Sequence, residues 1–186
     1  MSMTIQKAII FATLKHEGQK RKGTDIPYIV HPMEVMQILT DLQCSENVII
    51  AGILHDTLED TNTTPEEIEK LFGPDILAIV KTESEDKTKT WKERKTATIE
   101  DLQHAEPETK IVCFADKFSN IKSMYRDKLD IGAELWKRFN ADKDSIKWYY
   151  SSIAAALSTP GVKMNNKRYD ELYNEFLDLI DAVFQQ

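Results

Sequence analysis

The 186-residue sequence contains only two cysteines, and it has no apolar run of membrane-spanning length. Cys44 and Cys113 are far apart and have apolar neighbours, which argues against a disulfide framework or a cysteine-based zinc site and predicts two buried thiols. A membrane span needs about 18 or more apolar residues in a row. The opening segment MSMTIQKAIIFATLKHEG has the spacing of an amphipathic helix rather than of a signal peptide. We therefore expect a cytoplasmic protein without a membrane segment.

Positive charge is also in short supply. The chain has 24 Lys and Arg against 31 Asp and Glu, a net charge of −7, which argues against a nucleic-acid partner because binding to a phosphate backbone needs a basic surface. The basic residues gather in two segments, KHEGQKRKG at 15–23 and KTKTWKERK at 87–95. Each is either a solvated loop or helix end, or a place where a small anionic substrate binds.

Helical periodicity dominates the sequence. With 41% hydrophobic and 30% charged residues, the composition fits one globular domain spanning residues 1–186. The apolar spacing predicts helices over about 5–14, 31–42, 45–61, 65–72, 75–84, 91–104, 108–125, 131–138, 142–158 and 165–184. Strand signals are weak, and the β-prone KIVCFA runs directly into helical spacing. We expect an all-α bundle of roughly eight to ten helices, with the C-terminal helices of 160–186 packed on the rest.

The segment GILHDTLEDT, residues 52–61, places a histidine and three carboxylates within six positions. If the helix continues from ENVIIAGIL, His55 and Glu59 lie one turn apart on one face, and Asp56 and Asp60 one turn apart on the next. Like charges at this spacing oppose helix formation by roughly 0.2–0.5 kcal/mol per pair. A bound cation would turn this repulsion into attraction, so the segment predicts a metal site.

Four side chains are candidates to hold one divalent metal. They are His31 in YIVHPMEV, the adjacent His55 and Asp56, and Asp116 in IVCFADKFSNI. Each follows an apolar stretch and is therefore expected at the edge of a core. Two imidazoles with two carboxylates suit Mn²⁺, Fe²⁺ or Zn²⁺ and leave positions for water or a phosphate oxygen. Taken singly, each residue is as well explained by a helix cap, a hydrogen bond or an ion pair.

An isolated His, then an adjacent His-Asp and then a distant Asp resemble the pattern of the HD phosphohydrolase superfamily. Within it, RKGTDIPYIVHPMEV, AGILHDTLEDT and FADKFSNI are similar to the hydrolase domain of the RelA/SpoT family, specifically to stand-alone small alarmone hydrolases. The resemblance covers roughly residues 3–155. It implies an HD-domain helical bundle and Mn²⁺-dependent hydrolysis of the 3′-pyrophosphate of (p)ppGpp to GDP or GTP and pyrophosphate.

The resemblance also implies roles for single residues. It implies that the metal is bound by His31, His55, Asp56 and Asp116. It also implies that Glu59 and Asp60 act on the attacking water and that Arg21 and Asn120 contact the substrate. Lys22 is a further substrate contact, and it exchanges roles with Arg21 if the loop register differs. One metal per chain is expected, because two-metal HD enzymes need more histidines between the His-Asp pair and the last Asp, and only His104 lies there. Mn²⁺ is the expected ion, with Fe²⁺ or Zn²⁺ as alternatives.

Other functions stay open at this point. The same fold and metal site would serve hydrolysis of another nucleotide, such as a dNTP or NADPH. A non-catalytic nucleotide-binding module would be expected to lack a metal ligand or one of the acidic pair, and none is missing. A helical interaction protein leaves the HDTLED cluster unexplained. The sequence indicates no protein partner or oligomeric state.

Overall fold

The computed structural model describes residues 2–158 and 166–185, and this part of the chain is built from helices. The α-helices are α1 (Met3–Lys15), α2 (Val30–Asp41), α3 (Glu46–Leu54), α4 (Thr57–Asp60), α5 (Pro65–Phe72), α6 (Pro74–Thr82), α7 (Trp91–His104), α8 (Pro107–Ile131), α9 (Lys143–Leu157) and α10 (Lys167–Phe184). A 3₁₀ helix, Gly132–Arg138, follows α8. Among these residues extended pairing is limited to one bridge between Lys20 and Pro27. The predicted all-α fold is confirmed.

Helix ends follow local sequence signals. Thr64 caps α5 by accepting a hydrogen bond from the Glu67 N–H, while Glu67 accepts one from the Thr64 N–H, a reciprocal pair that satisfies two donors of the first turn. Gly73, with φ +96°, ends α5 and precedes Pro74 of α6. This positive φ suits glycine because it has no Cβ. The predicted bounds of α5 are therefore confirmed.

The helix predicted over 45–61 is interrupted, so the prediction of one continuous helix was wrong. α3 ends at Leu54, His55 and Asp56 form a turn, and α4 begins at Thr57. The cause is local. The His55 ring forms a 2.8 Å hydrogen bond with the Gly52 carbonyl, and the Thr57 hydroxyl donates to the Leu54 carbonyl at 2.6 Å. His55 and Asp56 keep right-handed backbone angles (φ −52°, ψ −40° and φ −89°, ψ −5°), so the interruption is a local change in the hydrogen bonding of these carbonyls.

The C-terminal half differs from prediction in its boundaries. α8 extends to Ile131 and contains the β-prone KIVCFA segment, while most of the helix predicted at 131–138 is the 3₁₀ helix. Gly132, with φ +57°, caps the end of α8 and is the first residue of the 3₁₀ helix. Residues 159–165, which include the start of the predicted C-terminal helices, lie outside the described residues.

The chain divides into two compact units. The first runs to Glu85 and also contains Ile111–Asp116 of α8. Its centre is α3, in which every residue from Val48 to Leu54 is buried. Gly52 is the point of closest approach to α2, because a Cβ there would collide with the Leu39 side chain. This packing holds the end of α3 firmly where the His55–Asp56 turn begins.

The second unit contains Asp86–Lys110 and the chain from Lys117 onwards. The Phe176 ring lies at its core, against the rings of Phe118 and Tyr150. α10 packs on α9, and the Tyr173 hydroxyl donates to the Ala154 carbonyl at 2.7 Å. The expectation of a single domain over residues 1–186 stays a prediction.

The structure also bears on the expected lack of a membrane-spanning helix and of a disulfide. Within the described ranges, no helix combines the length and the apolar character that crossing a membrane requires. No disulfide joins the two cysteines: Cys113 is buried as predicted, whereas Cys44 is only half-buried. Burial raises the pKa of the Cys44 thiol to about 11.

Candidate metal centre

Three helices of the first unit bring the candidate ligands together. His31 is the second residue of α2, and its N–H donates to the Tyr28 carbonyl at 2.9 Å. His55 and Asp56 form the turn after α3, and Asp116 ends the stretch of α8 that belongs to this unit. His31 and His55 are each 1% exposed and Asp116 4%. The four polar groups therefore lie together in the first unit, and their binding of a metal stays a prediction.

The ligand atoms have the separations that a bound metal needs. His31 Nε2 lies 3.0 Å from Asp116 Oδ1 and 3.5 Å from Asp56 Oδ2. His55 Nε2 lies 2.9 Å from Asp56 Oδ2 and 3.7 Å from Asp116 Oδ1. Metal–ligand bonds of about 2.0–2.2 Å place neighbouring ligands about 2.8–3.6 Å apart. Donors of His31, His55 and Asp116 all lie within 4.8 Å of one another, so the set can hold one ion.

The His55 ring is oriented for metal binding. Its Nδ1 lies 2.8 Å from the Gly52 carbonyl, which can only accept, so Nδ1 carries the proton and donates. Nε2 is buried and makes no well-directed hydrogen bond to any described residue, although two carboxylates are near. A histidine that donates from one ring nitrogen and offers the other is the usual arrangement of a metal ligand. This buried nitrogen is the feature that best fits a cation.

Burial and charge set the protonation of the cluster. Burial lowers the pKa of His31 below its ordinary value, although Asp116 opposes the shift. Burial also lowers the pKa of His55, but the Asp56 carboxylate outweighs it and leaves this pKa well above its ordinary value. Burial alone would raise the pKa of Asp56, yet the charge of His55 holds it far below the usual range. In the metal-free protein, a proton on His55 therefore neutralises part of the acidic cluster.

Tyr28 is a site residue that the sequence reasoning missed. Its hydroxyl donates to Asp56 Oδ2 at 2.6 Å and lies 3.5 Å from Asp60 Oδ2. Burial and the nearby Asp56 raise the pKa of Tyr28 well above its ordinary value, so the hydroxyl stays a donor. The available signal was the position of Tyr28, three residues before His31 in the quoted motif. A side chain just before a helix can reach the same site as a ligand in its first turn.

The predicted acidic pair lies in the short helix that follows the ligands. Asp60 is exposed, and through Tyr28 it is joined to the ligand Asp56. Its main-chain carbonyl accepts a 2.7 Å hydrogen bond from Gln19 Nε2. Glu59 is half-buried in the same turn. Their assignment to the attacking water stays a prediction.

The predicted substrate contacts are distributed over two segments. The Arg21 guanidinium carbon lies 5.8 Å from the centre of the Tyr28 ring, within the range of a cation–π contact. Lys22 follows in an exposed turn. Asn120 is half-buried in α8, four residues after Asp116 in the sequence. Binding of substrate by these three residues stays a prediction.

Comparison with known proteins places these residues in a recognised context. A family model described as HD domain matches residues 8–146. The guanosine-3′,5′-bis(diphosphate) 3′-pyrophosphohydrolase MESH1 of Xenopus tropicalis is 42% identical over 125 residues, which are 66% of this chain and 70% of that protein. The Homo sapiens protein of the same name is 39% identical over 123 residues, or 64% of this chain and 69% of that one.

A solved structure resembles nearly the whole chain. That protein is described as a metazoan ortholog of SpoT that hydrolyses ppGpp and plays a role in starvation responses. The similarity covers 96% of each chain, with a TM-score of 0.76 and 26% sequence identity. The HD match includes the segments that carry the four candidate ligands.

Proposed function

Since this chain belongs to the HD domain family, we propose that it is a metal-dependent phosphohydrolase that removes the 3′-pyrophosphate of (p)ppGpp. The products are GDP or GTP and pyrophosphate. The convergence of His31, His55, Asp56 and Asp116 on one buried point carries the proposal, because these separations suit a single ion. The names of the relatives supply the substrate.

In this proposal the two imidazoles and two carboxylates hold one divalent ion. Mn²⁺ fits a mixed nitrogen and oxygen donor set, with Fe²⁺ and Zn²⁺ as alternatives. When bound, the ion would acidify a water molecule and polarise a phosphoryl oxygen. The Tyr28 hydroxyl fixes the orientation of the Asp56 carboxylate, and the Gly52 carbonyl fixes the His55 ring.

The acidic pair supplies the base. Glu59 or Asp60 accepts one proton of the attacking water, whose oxygen bonds to the phosphorus nearest the ribose. The bond between that phosphorus and the ribose 3′ oxygen breaks, and the 3′ oxygen takes up a proton. Asp60 lies beside the metal centre, because the Tyr28 hydroxyl is 2.6 Å from Asp56 Oδ2 and 3.5 Å from Asp60 Oδ2.

The basic loop binds the phosphates. Arg21 offers a planar fork that matches two phosphate oxygens, and Lys22 adds a second positive charge. The contact of Arg21 with the Tyr28 ring places its guanidinium on the residue that also holds Asp56. Asn120, one helical turn beyond Asp116, orients the water or a ribose oxygen.

The test is a metal-supplemented nucleotide panel. Chelator-stripped protein is reloaded with Mn²⁺, Fe²⁺, Zn²⁺ or Mg²⁺ and assayed against ppGpp, pppGpp, dGTP and NADPH. We expect ppGpp and pppGpp to be cleaved with Mn²⁺ and to stay intact without metal. Cleavage of dGTP or NADPH with ppGpp left intact would contradict the alarmone substrate.

Variants connect the activity to the site. His55→Ala and Asp116→Asn should each lose bound metal, measured by elemental analysis, and turnover together. His104→Ala is the matched control because His104 is exposed on α7 and should keep one metal equivalent and full activity. A His55→Ala protein with one equivalent of metal and normal turnover would contradict the ligand assignment.

A further inference from the structure

His16 is a buried histidine that the proposed mechanism does not use. It follows α1, and only 3% of its surface is exposed. Its Nδ1 lies 2.7 Å from Gln19 Oε1. Its Nε2 is buried and has no hydrogen-bond partner among the residues that the structure describes.

The bonding of Gln19 decides the orientation of this pair. Gln19 Nε2 donates to the main-chain carbonyl of Asp60 at 2.7 Å, so Gln19 Oε1 faces His16 as an acceptor. His16 therefore donates from Nδ1, and Nε2 carries a buried lone pair. A buried acceptor without a donor destabilises a fold. An apolar ring of similar size would avoid that penalty, so stability alone does not explain a histidine here.

The His16 ring is also linked to the metal centre through the Tyr28 ring. It packs against the Tyr28 ring, with ring centres 4.8 Å apart and planes inclined by 31°. The Tyr28 hydroxyl donates to Asp56, and the Tyr28 N–H donates to the Gln19 carbonyl at 2.9 Å. His16 is thus linked both to the acidic helix α4 and to a proposed ligand.

We propose that His16 is a positioning residue for the reaction. Through Gln19 it holds the main chain at Asp60, and through the Tyr28 ring it steadies the hydroxyl that orients Asp56. Together these contacts fix the distance between the acidic pair and the metal ligands. The inference rests on the proposed function, because it gives that spacing a catalytic purpose.

Two variants break the hydrogen bond between His16 and Gln19, one by changing His16 and the other by changing Gln19. His16→Phe keeps a packed ring but loses the Nδ1 donor, and Gln19→Leu loses both hydrogen bonds of the carboxamide. We expect kcat for ppGpp to fall about 10- to 100-fold in each, the loss typical of a small misplacement of reacting groups. KM should stay within about twofold, since no group that binds phosphate is removed. Gln6→Leu, a substitution of an exposed glutamine on α1, should leave kcat unchanged.

Stability and metal content separate positioning from a general structural role. His16→Phe should keep one metal equivalent and a Tm close to that of the wild type, because removal of the unsatisfied buried nitrogen offsets the lost hydrogen bond to Gln19. Amide hydrogen exchange of residues 56–61 should be faster in both variants than in the wild type. His16→Asn, whose amide N–H can replace Nδ1–H, should recover more of kcat than His16→Phe does.

Several results would overturn the inference. They are a normal kcat in both variants, unchanged exchange over residues 56–61, a loss of metal or of Tm in parallel with kcat, or a His16→Asn protein no faster than His16→Phe. A wild type that leaves ppGpp intact would contradict the proposed function instead. In that case the exchange data still decide whether His16 and Gln19 hold α4.

Discussion

The Tyr28 hydroxyl donates a 2.6 Å hydrogen bond to Oδ2 of Asp56, the same oxygen that lies 2.9 Å from Nε2 of His55. A donor to one side of this oxygen leaves its other lone pair directed at the histidine and, in the proposed enzyme, at the metal. Partners of this kind orient a ligand and tune its affinity. Tyr28 therefore belongs to the metal centre although it need not touch the ion.

Tyr28→Phe tests this relationship. The substitution removes only the hydroxyl, so Asp56 loses a donor while the ring keeps its contact with His16. We expect the Kd for Mn²⁺, measured by titration calorimetry, to rise about 10- to 100-fold, the usual effect of losing a partner of a metal ligand. Tyr173→Phe is the matched control, because it removes a 2.7 Å hydroxyl bond to the Ala154 carbonyl and should leave the Kd unchanged. Equal metal affinity in the two variants would remove Tyr28 from the site.

Metal binding should become stronger as pH rises. The pKa of His55 is raised in the folded protein by Asp56, so its charged ring stabilises the metal-free fold below the ordinary value of 6.5. That contribution is lost as pH rises through the folded pKa. The pKa of Asp56 is lowered, so its contribution is present above the ordinary value of 3.8 and disappears only in strong acid.

The ion must replace the proton on His55 Nε2, which favours binding at high pH. We therefore expect the Mn²⁺-induced rise in Tm to be larger at pH 8 than at pH 6, measured by calorimetry with and without metal. His104→Gln, at an exposed histidine, should show the same trend as the wild type. A rise in Tm that shrinks or stays level from pH 6 to pH 8 would contradict the protonated His55 of the metal-free site.

The acidic pair should affect turnover and not metal content. Glu59→Gln combined with Asp60→Asn removes two bases and keeps their size, so we expect turnover of ppGpp to slow by about 10²–10⁴-fold. One metal equivalent should remain by elemental analysis. Glu69→Gln with Asp75→Asn removes the same charge from exposed positions of α5 and α6 and serves as the control. If the double variant of the pair loses its metal, these residues are ligands or supports and not the base.

Arg21 and Lys22 should act on substrate affinity. Replacing both with Ala removes Lys22 and the guanidinium that lies 5.8 Å from the centre of the Tyr28 ring, so KM for ppGpp should rise and its dependence on salt should weaken. Tm should change little, because Lys22 is exposed and a cation–π contact at a partly exposed site contributes only about 0.5–1 kcal/mol. Lys70→Ala with Lys81→Ala, at exposed positions, controls for net charge. An unchanged KM and salt dependence would show that this loop is only solvated.

The sequence was sufficient to predict the helical fold and the four residues that converge. His31, the His55–Asp56 pair and Asp116 each follow an apolar run, and core packing brings such positions together. The break after Leu54 was not predictable from periodicity, because it depends on the hydrogen bonds that the His55 and Thr57 side chains make to the Gly52 and Leu54 carbonyls.

The hydrogen bonds around the metal centre could not be predicted from the sequence. Tyr28, His16 and Gln19 lie within or beside the quoted basic loop. Tyr28 bonds to Asp56, Gln19 bonds to Asp60 and His16 bonds to Gln19, and the first two of these bonds exist only once the loop packs on the His55–Asp60 segment. Local spacing carries no information about such contacts between segments about 30 to 40 residues apart. Apolar periodicity predicts which side chains are buried, and not which buried polar groups share a hydrogen bond.

Digestion of ppGpp in ¹⁸O-labelled water by the Mn²⁺-loaded protein, with products identified by mass spectrometry, decides whether this protein removes the 3′-pyrophosphate. We expect unlabelled GDP and pyrophosphate carrying one ¹⁸O atom, because water attacks the phosphorus next to the ribose 3′ oxygen. The His55→Ala protein should give neither product. Intact ppGpp, release of orthophosphate, or label in the GDP would contradict this expectation.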